Sequence, residues 1–154
     1  MIRKATMKDV PMILTMFGEM RDYHDKIESK QEKLLPWKKT RHEGFKKHLL
    51  RTLESKDAIV LIAEDKMVLG YGIGVLKLNK QRQQTVGLIT DVYVRASERG
   101  KGYGQELLDA LHSFFKEKQV TVMELFVHHH NKAAQEFYAK NSFFPVQVKM
   151  QAKV

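Results

Sequence analysis

Cysteine is missing from all 154 residues. Its absence rules out disulfides, thiolate metal ligands and a cysteine nucleophile. Long hydrophobic runs are missing as well. The longest purely aliphatic stretch, Ala58 to Ala63, falls far short of the roughly 20 residues that cross a bilayer. The opening residues, Met1 to Asp9, hold no apolar core of a signal peptide. A cytoplasmic protein with no membrane partner is therefore expected. No suitably spaced His, Asp and Glu set makes up for the missing thiols, so no metal is expected. Proline is scarce, with three residues, and no linker, repeat or low-complexity tract divides the chain. A single domain spanning 1–154 follows.

Positive charge is abundant, at +9 net with 27 Lys and Arg against 18 Asp and Glu. Such a balance attracts polyanions. Here the basic residues are spread along the chain, and no helix gathers basic and aromatic residues for reading nucleic acid. A solvated basic surface is the reading, with no nucleic-acid partner. Part of the charge would suit a phosphorylated small molecule.

Periodicity supplies the elements. Residues 2–6 read as an edge strand. Thr6 with Asp9 marks a helix start, and Val10, Ile13, Leu14 and Phe17 share one face of a helix over about 8–24. Asp25 to Lys39 reads as a loop or partial helix with an apolar island at Leu34, Leu35 and Trp37. Thr40 and Glu43 form a capping box for a second helix carrying Phe45, His48, Leu49 and Leu53. Strands follow at 58–63, 67–78 and 86–94. Glycines at 70, 72 and 74 imply a bulge or a close backbone approach in the second of these. A third helix spans 102–118, a strand 122–127, a fourth helix 131–140 and a last strand 143–154. The order β-α-α-β-β-β-α-β-α-β argues for a mixed, mostly antiparallel α/β sheet flanked by about four helices.

One stretch carries chemistry: Val92-Tyr93-Val94, then Arg99-Gly100-Lys101-Gly102-Tyr103-Gly104-Gln105, then an amphipathic helix with Leu107, Leu108, Leu111, Phe114 and Phe115. A strand, a glycine turn and the unpaired N–H groups of a helix start make a cradle for an anion such as a diphosphate. The stretch lacks the Gly-Lys-Ser/Thr of a Walker loop and the spacing of a dinucleotide fingerprint. Its Arg-x-x-Gly-x-Gly pattern resembles the acetyl-CoA loop of the GNAT superfamily of N-acetyltransferases. A second segment, Asn131-x-x-Ala134-x-x-Phe137-Tyr138 followed by Asn141-Ser142-Phe143, resembles that family's Asn-x-x-Ala-x-x-Phe-Tyr-x-x-x-Gly-Phe. The family's glycine is replaced by Ser142. Asn tolerates the left-handed region next best, so Asn141 is expected to make the turn one position earlier.

The resemblance implies acetyl-CoA as cosubstrate and direct transfer of its acetyl group to a primary amine in a ternary complex. The acceptor is a small amine or a peptide or protein amine. Val92, Tyr93 and Val94 would pair with the pantetheine arm, Arg99 to Gln105 would hold the pyrophosphate, and Asn131 would contact the pantetheine from the other side. Tyr138 would sit at the sulfur as the acid. Asp91 is the candidate base, with Glu64, Asp65, Glu98, His24 or a water relay as alternatives. Tyr23, His24 and Trp37 are candidates for the acceptor pocket. The run His128-His129-His130 reads as polar cover at the site's mouth, because adjacent residues of an extended chain point apart. A homodimer through the last strand is a possibility. A non-catalytic acyl-CoA-binding regulatory module stands as the alternative reading.

Overall fold

The computed structural model describes residues 1–30 and 41–154. Strand β1 (Ile2–Lys4) leads through a 3-10 turn into helix α1 (Val10–Ile27). Helix α2 (Arg41–Glu54) and strands β2 (Ala58–Asp65), β3 (Met67–Asn79) and β4 (Gln84–Val94) follow. Helix α3 (Tyr103–Glu117), strand β5 (Met123–Leu125) and helix α4 (Lys132–Lys140) complete the order. The sheet runs β1-β2-β3-β4-β5. Its first four strands are antiparallel, and β5 joins β4 in parallel. Among the described residues no helix is long and apolar enough to cross a membrane.

The start of α1 is built as its residues require. The Asp9 carboxylate accepts from the Thr6 N–H at 2.7 Å and the Thr6 hydroxyl at 3.0 Å. The Arg3 guanidinium donates to it in a fork at 2.8 and 2.9 Å. That pairing holds the buried Asp9 carboxyl down at about 2. Val10, Ile13, Met16 and Phe17 then bury one helical face, joined by Phe45 and Leu49 of α2. Phe17 and Phe45 stack at 3.8 Å between ring centroids. Thr40, the expected partner of Glu43, lies outside the described residues, as do Leu34, Leu35 and Trp37.

Helices α1 and α2 cover one face of the sheet and α3 covers the other. Two glycines let α3 lie this close. A Cβ on Gly74 would stand 2.7 Å from the Phe115 ring, and one on Gly87 would stand 2.6 Å from it. The irregularity expected in β3 falls at Leu69, skipped between the Ala63–Gly70 and Glu64–Val68 pairs, and β4 carries a second one. Ile73 pairs with Asp91 while Gly74 pairs with Ile89, so Thr90 is the extra residue of a bulge in β4.

Two expectations are corrected. Residues 143–154 form no strand, although their alternation is real: Phe144, Val146, Val148 and Met150 are all highly exposed. Alternation specifies a strand only where a neighbouring strand and a surface receive it, and this segment has neither among the described residues. The turn after α4 falls on Ser142 at φ 64, whereas Asn141 stays at φ −99. The Ser142 N–H bonds to Ala139 O at 3.1 Å and the Phe143 N–H to Tyr138 O at 3.0 Å, a Schellman closure. Asn141 is occupied otherwise, since its side chain donates to Phe137 O at 2.9 Å.

Candidate active site

Strands β4 and β5 are in register only over Gly87 to Ile89 and Met123 to Leu125. Beyond these residues no strand pairs with the outer edge of β4 among the described residues. The Arg95 N–H bonds to Leu69 O at 2.9 Å on the β3 side. Antiparallel ladders alternate, so Tyr93 and Asp91 also direct their peptide groups at β3. Val92 and Val94 direct theirs at the open edge. There the Val94 carbonyl accepts from Arg99 Nε at 3.1 Å. Of the three strand residues singled out in the sequence, two therefore offer backbone groups to the gap. The Tyr93 side chain is buried, with its hydroxyl on Glu19 at 3.1 Å.

The turn that follows needs its glycines at two places. Gly100 and Gly102 lie at φ 80 and φ 93, where an L side chain is strained, and a Cβ on either would meet no atom within 4 Å. A Cβ on Gly104 would make only ordinary contacts, with Phe137 at 3.8 Å and Val94 at 3.9 Å. Gly102 is also the N-cap of α3, and its carbonyl accepts from the Glu106 N–H at 3.0 Å. The N–H groups of Tyr103, Gly104 and Gln105 precede that first intrahelical bond and stand at the positive end of the helix dipole. The Gln105 side chain is turned away to α4, donating to Asn141 at 2.7 Å and to Asp109 at 2.9 Å. Lys101 reaches Glu98 at 2.9 Å in an exposed pair. The Arg99 guanidinium lies over the Tyr23 ring at 4.6 Å and the Tyr93 ring at 5.7 Å.

Helix α4 brings the third component. Asn131 caps it, accepting from the Ala134 N–H at 3.2 Å. Tyr138 is half-buried, and burial first, then the Asp91 charge, pushes its phenol up to about 12. Asp91 is itself raised by burial, opposed by a hydrogen bond from Thr90 and by the charges of His48 and Arg41 on α2. The side chain of Tyr71 on β3 also feels Asp91. No spacing along the chain connects Tyr71, His48 or Arg41 with Asp91. The signal was available only as parity: Asp91 shares the face of Tyr71 and Ile73 once the register is known.

The other candidate acids are tied up elsewhere. Glu64 pairs with Arg3 at 2.8 Å, and Glu98 is held by Lys101. Both are lowered by these partners. Glu64 and Asp65 line a surface cavity of about 550 Å³ with Met1, Lys101 and Tyr103, away from Asp91 and Tyr138. His24, at the end of α1, meets two of the three consecutive histidines. His24 Nδ1 lies 3.0 Å from His130 Nε2, and the His128 and His130 rings stack at 5.0 Å. Burial first, then the neighbouring imidazoles, lowers His24 to about 4. His129, between them, accepts at its backbone carbonyl from Gln135. The described residues contain no group of three or more His, Cys, Asp or Glu arranged to hold a metal ion. Tyr23 stands beside His24, 5.9 Å between rings, and Trp37 lies outside the described residues.

The model of the acetyltransferase (GNAT) family matches residues 20–143. The chain belongs to that family. An uncharacterized N-acetyltransferase of Bacillus subtilis (strain 168), YhfO, is 25% identical over 146 residues, covering 92% of this chain and 88% of its own. A mutant of the BH1408 protein of Bacillus halodurans has the same fold at a TM-score of 0.82 and 22% identity, with 100% of this chain and 99% of that one covered. A predicted acetyltransferase of Clostridium acetobutylicum, solved with acetyl-CoA, matches at a TM-score of 0.77 and 18% identity over 99% of this chain and 95% of that one. Family membership makes this chain an acyltransferase.

Proposed function

We propose that this GNAT protein moves an acetyl group from acetyl-CoA to a primary amine by direct transfer while both substrates are bound. The reading is supported by the outward-facing Val92 and Val94 peptide groups beside the left-handed glycine turn, with Tyr138 within the field of Asp91 on the same strand. The residues fit the carrier. Val92 and Val94 would extend the ladder to the amides of the pantetheine arm. The turn from Arg99 to Gly102 and the N–H groups of Tyr103, Gly104 and Gln105 would hold the pyrophosphate. Asn131, whose side chain is committed to capping α4, would touch the arm from its far side.

When bound, acetyl-CoA supplies a thioester whose sulfur leaves as a thiolate. The Val92 N–H donates to the oxygen that gains charge as the amine attacks. The Tyr138 phenol is protonated throughout the neutral range and donates to the sulfur. An amine of ordinary pKa, near 10.4 for a lysine side chain, must lose a proton first. Asp91 is the acceptor for that proton, because burial brings a carboxyl toward the working pH. Tyr23 and His24 would border the acceptor, which is a small amine or a peptide or protein amine.

Thiol release from acetyl-CoA, followed with and without a panel of amines and peptides, tests the reading. Amine-stimulated release is expected. Saturable binding of coenzyme A with no release by any acceptor would instead fit a non-catalytic acyl-CoA-binding module. A calorimetric titration at modest salt with no saturable heat would overturn both.

A further inference from the structure

Tyr71 sits in the middle of β3 with no solvent exposure, and its hydroxyl has no hydrogen-bond partner among the described residues. Leaving a buried hydroxyl unpaired forfeits its hydration with nothing in return. A phenylalanine would fill the same space, between Phe45 at 6.3 Å and Tyr93 at 6.2 Å, without that cost. The register shows what lies beside the hydroxyl. Tyr71 pairs with Tyr93 and Ile73 pairs with Asp91, so Tyr71 and Asp91 are diagonal neighbours on one sheet face, within reach of a long side chain. The groups acting on Asp91 come from four elements: Tyr71 from β3, Thr90 from β4, His48 and Arg41 from α2, and Tyr138 from α4.

We infer that Tyr71 is a positioning residue for Asp91, its hydroxyl donating to the carboxylate through one water. This inference rests on the proposed role of Asp91 as base. The physical need is plain. Burial alone favours the protonated carboxyl, which cannot accept a proton, whereas a donor aimed at the ionised form keeps it available near neutral pH. Thr90 meets part of that need, and Tyr71 adds a donor from the opposite strand. The bulge at Thr90 sets the parity, because without it Asp91 would face α3 instead.

The test is a titration of side-chain carboxyl carbons by NMR in the full-length, ligand-free protein, with Asp91→Asn used to assign the resonance. Tyr71→Phe is expected to raise the Asp91 midpoint by about half a unit or more. In the amine-acetylation assay the acid limb of the pH–rate profile moves alkaline by the same amount, and affinity for coenzyme A does not change. An Asp91 midpoint identical in wild type and Tyr71→Phe overturns the inference, whatever the enzyme's activity. If the NMR midpoint moves but Asp91→Asn leaves the pH–rate profile untouched, the pair exists and the assignment of Asp91 as base is what fails, taking the functional half of the inference with it.

Discussion

At the scale of single residues, burial raises both Tyr138 and Asp91, and the proposed mechanism uses the first as donor and the second as base. A phenol held near 12 remains a donor at any physiological pH. Tyr138→Phe is expected to lower kcat roughly 100-fold with little change in coenzyme A affinity, measured by steady-state kinetics and calorimetry. Asp91 makes a second, less obvious prediction. Its carboxyl is raised in the folded chain, so its stabilising contribution is fully present below about pH 4, where both states are protonated, and is lost as pH rises through the folded-state value. Asp91→Asn should therefore melt at a higher temperature than the wild type at pH 7, with the difference vanishing near pH 4, even as acetylation falls. Composition revealed that carboxylates were present but could not say which was buried. The residues of β3, α2 and α4 whose groups act on Asp91, namely Tyr71, Arg41, His48 and Tyr138, lie far from it in the chain.

At the scale of elements, the glycines divide into two kinds. Gly102 is needed for its backbone angle, so Gly102→Ala should cost about 1 kcal/mol and weaken coenzyme A binding, seen as a fall of ~2–4 °C in melting temperature and a larger dissociation constant. Gly87 is needed for space beneath Phe115, 2.6 Å from where a Cβ would stand. Gly87→Ala should cost roughly 1–3 kcal/mol in chemical denaturation while leaving the turn intact. The helices were legible because their apolar residues recur on one face over several turns, as Leu107, Leu108, Leu111, Phe114 and Phe115 do in α3. The glycine turn was legible because its spacing has a mechanical meaning. The last strand was misjudged because alternation in residues 144–150 says nothing about whether a partner is there. The turn after α4 was misplaced because the Asn141 side chain is bonded to Phe137 and Gln105, and only the packed structure shows that.

At the scale of the molecule, the pH response combines distant groups with different signs. His24 is lowered to about 4 from near 6.5, so the fold loses stability as pH falls from about 6.5 through 4. Asp9 is held at about 2, so its contribution persists until pH falls from near 4 toward 2. Melting temperature against pH should show the first loss well before the second, and His24→Gln should flatten the first alone. The sequence reading left His24 and His130 apart because 106 residues separate them; it is the folding of α1 onto the β5–α4 connection that joins them. One more link of this kind joins α3 to the end of α4. Gln105, in the opening turn of α3, grips Asn141 at the far end of α4. If the glycine turn holds the carrier as proposed, a pull on it would reach the helix that bears Tyr138 through this bond.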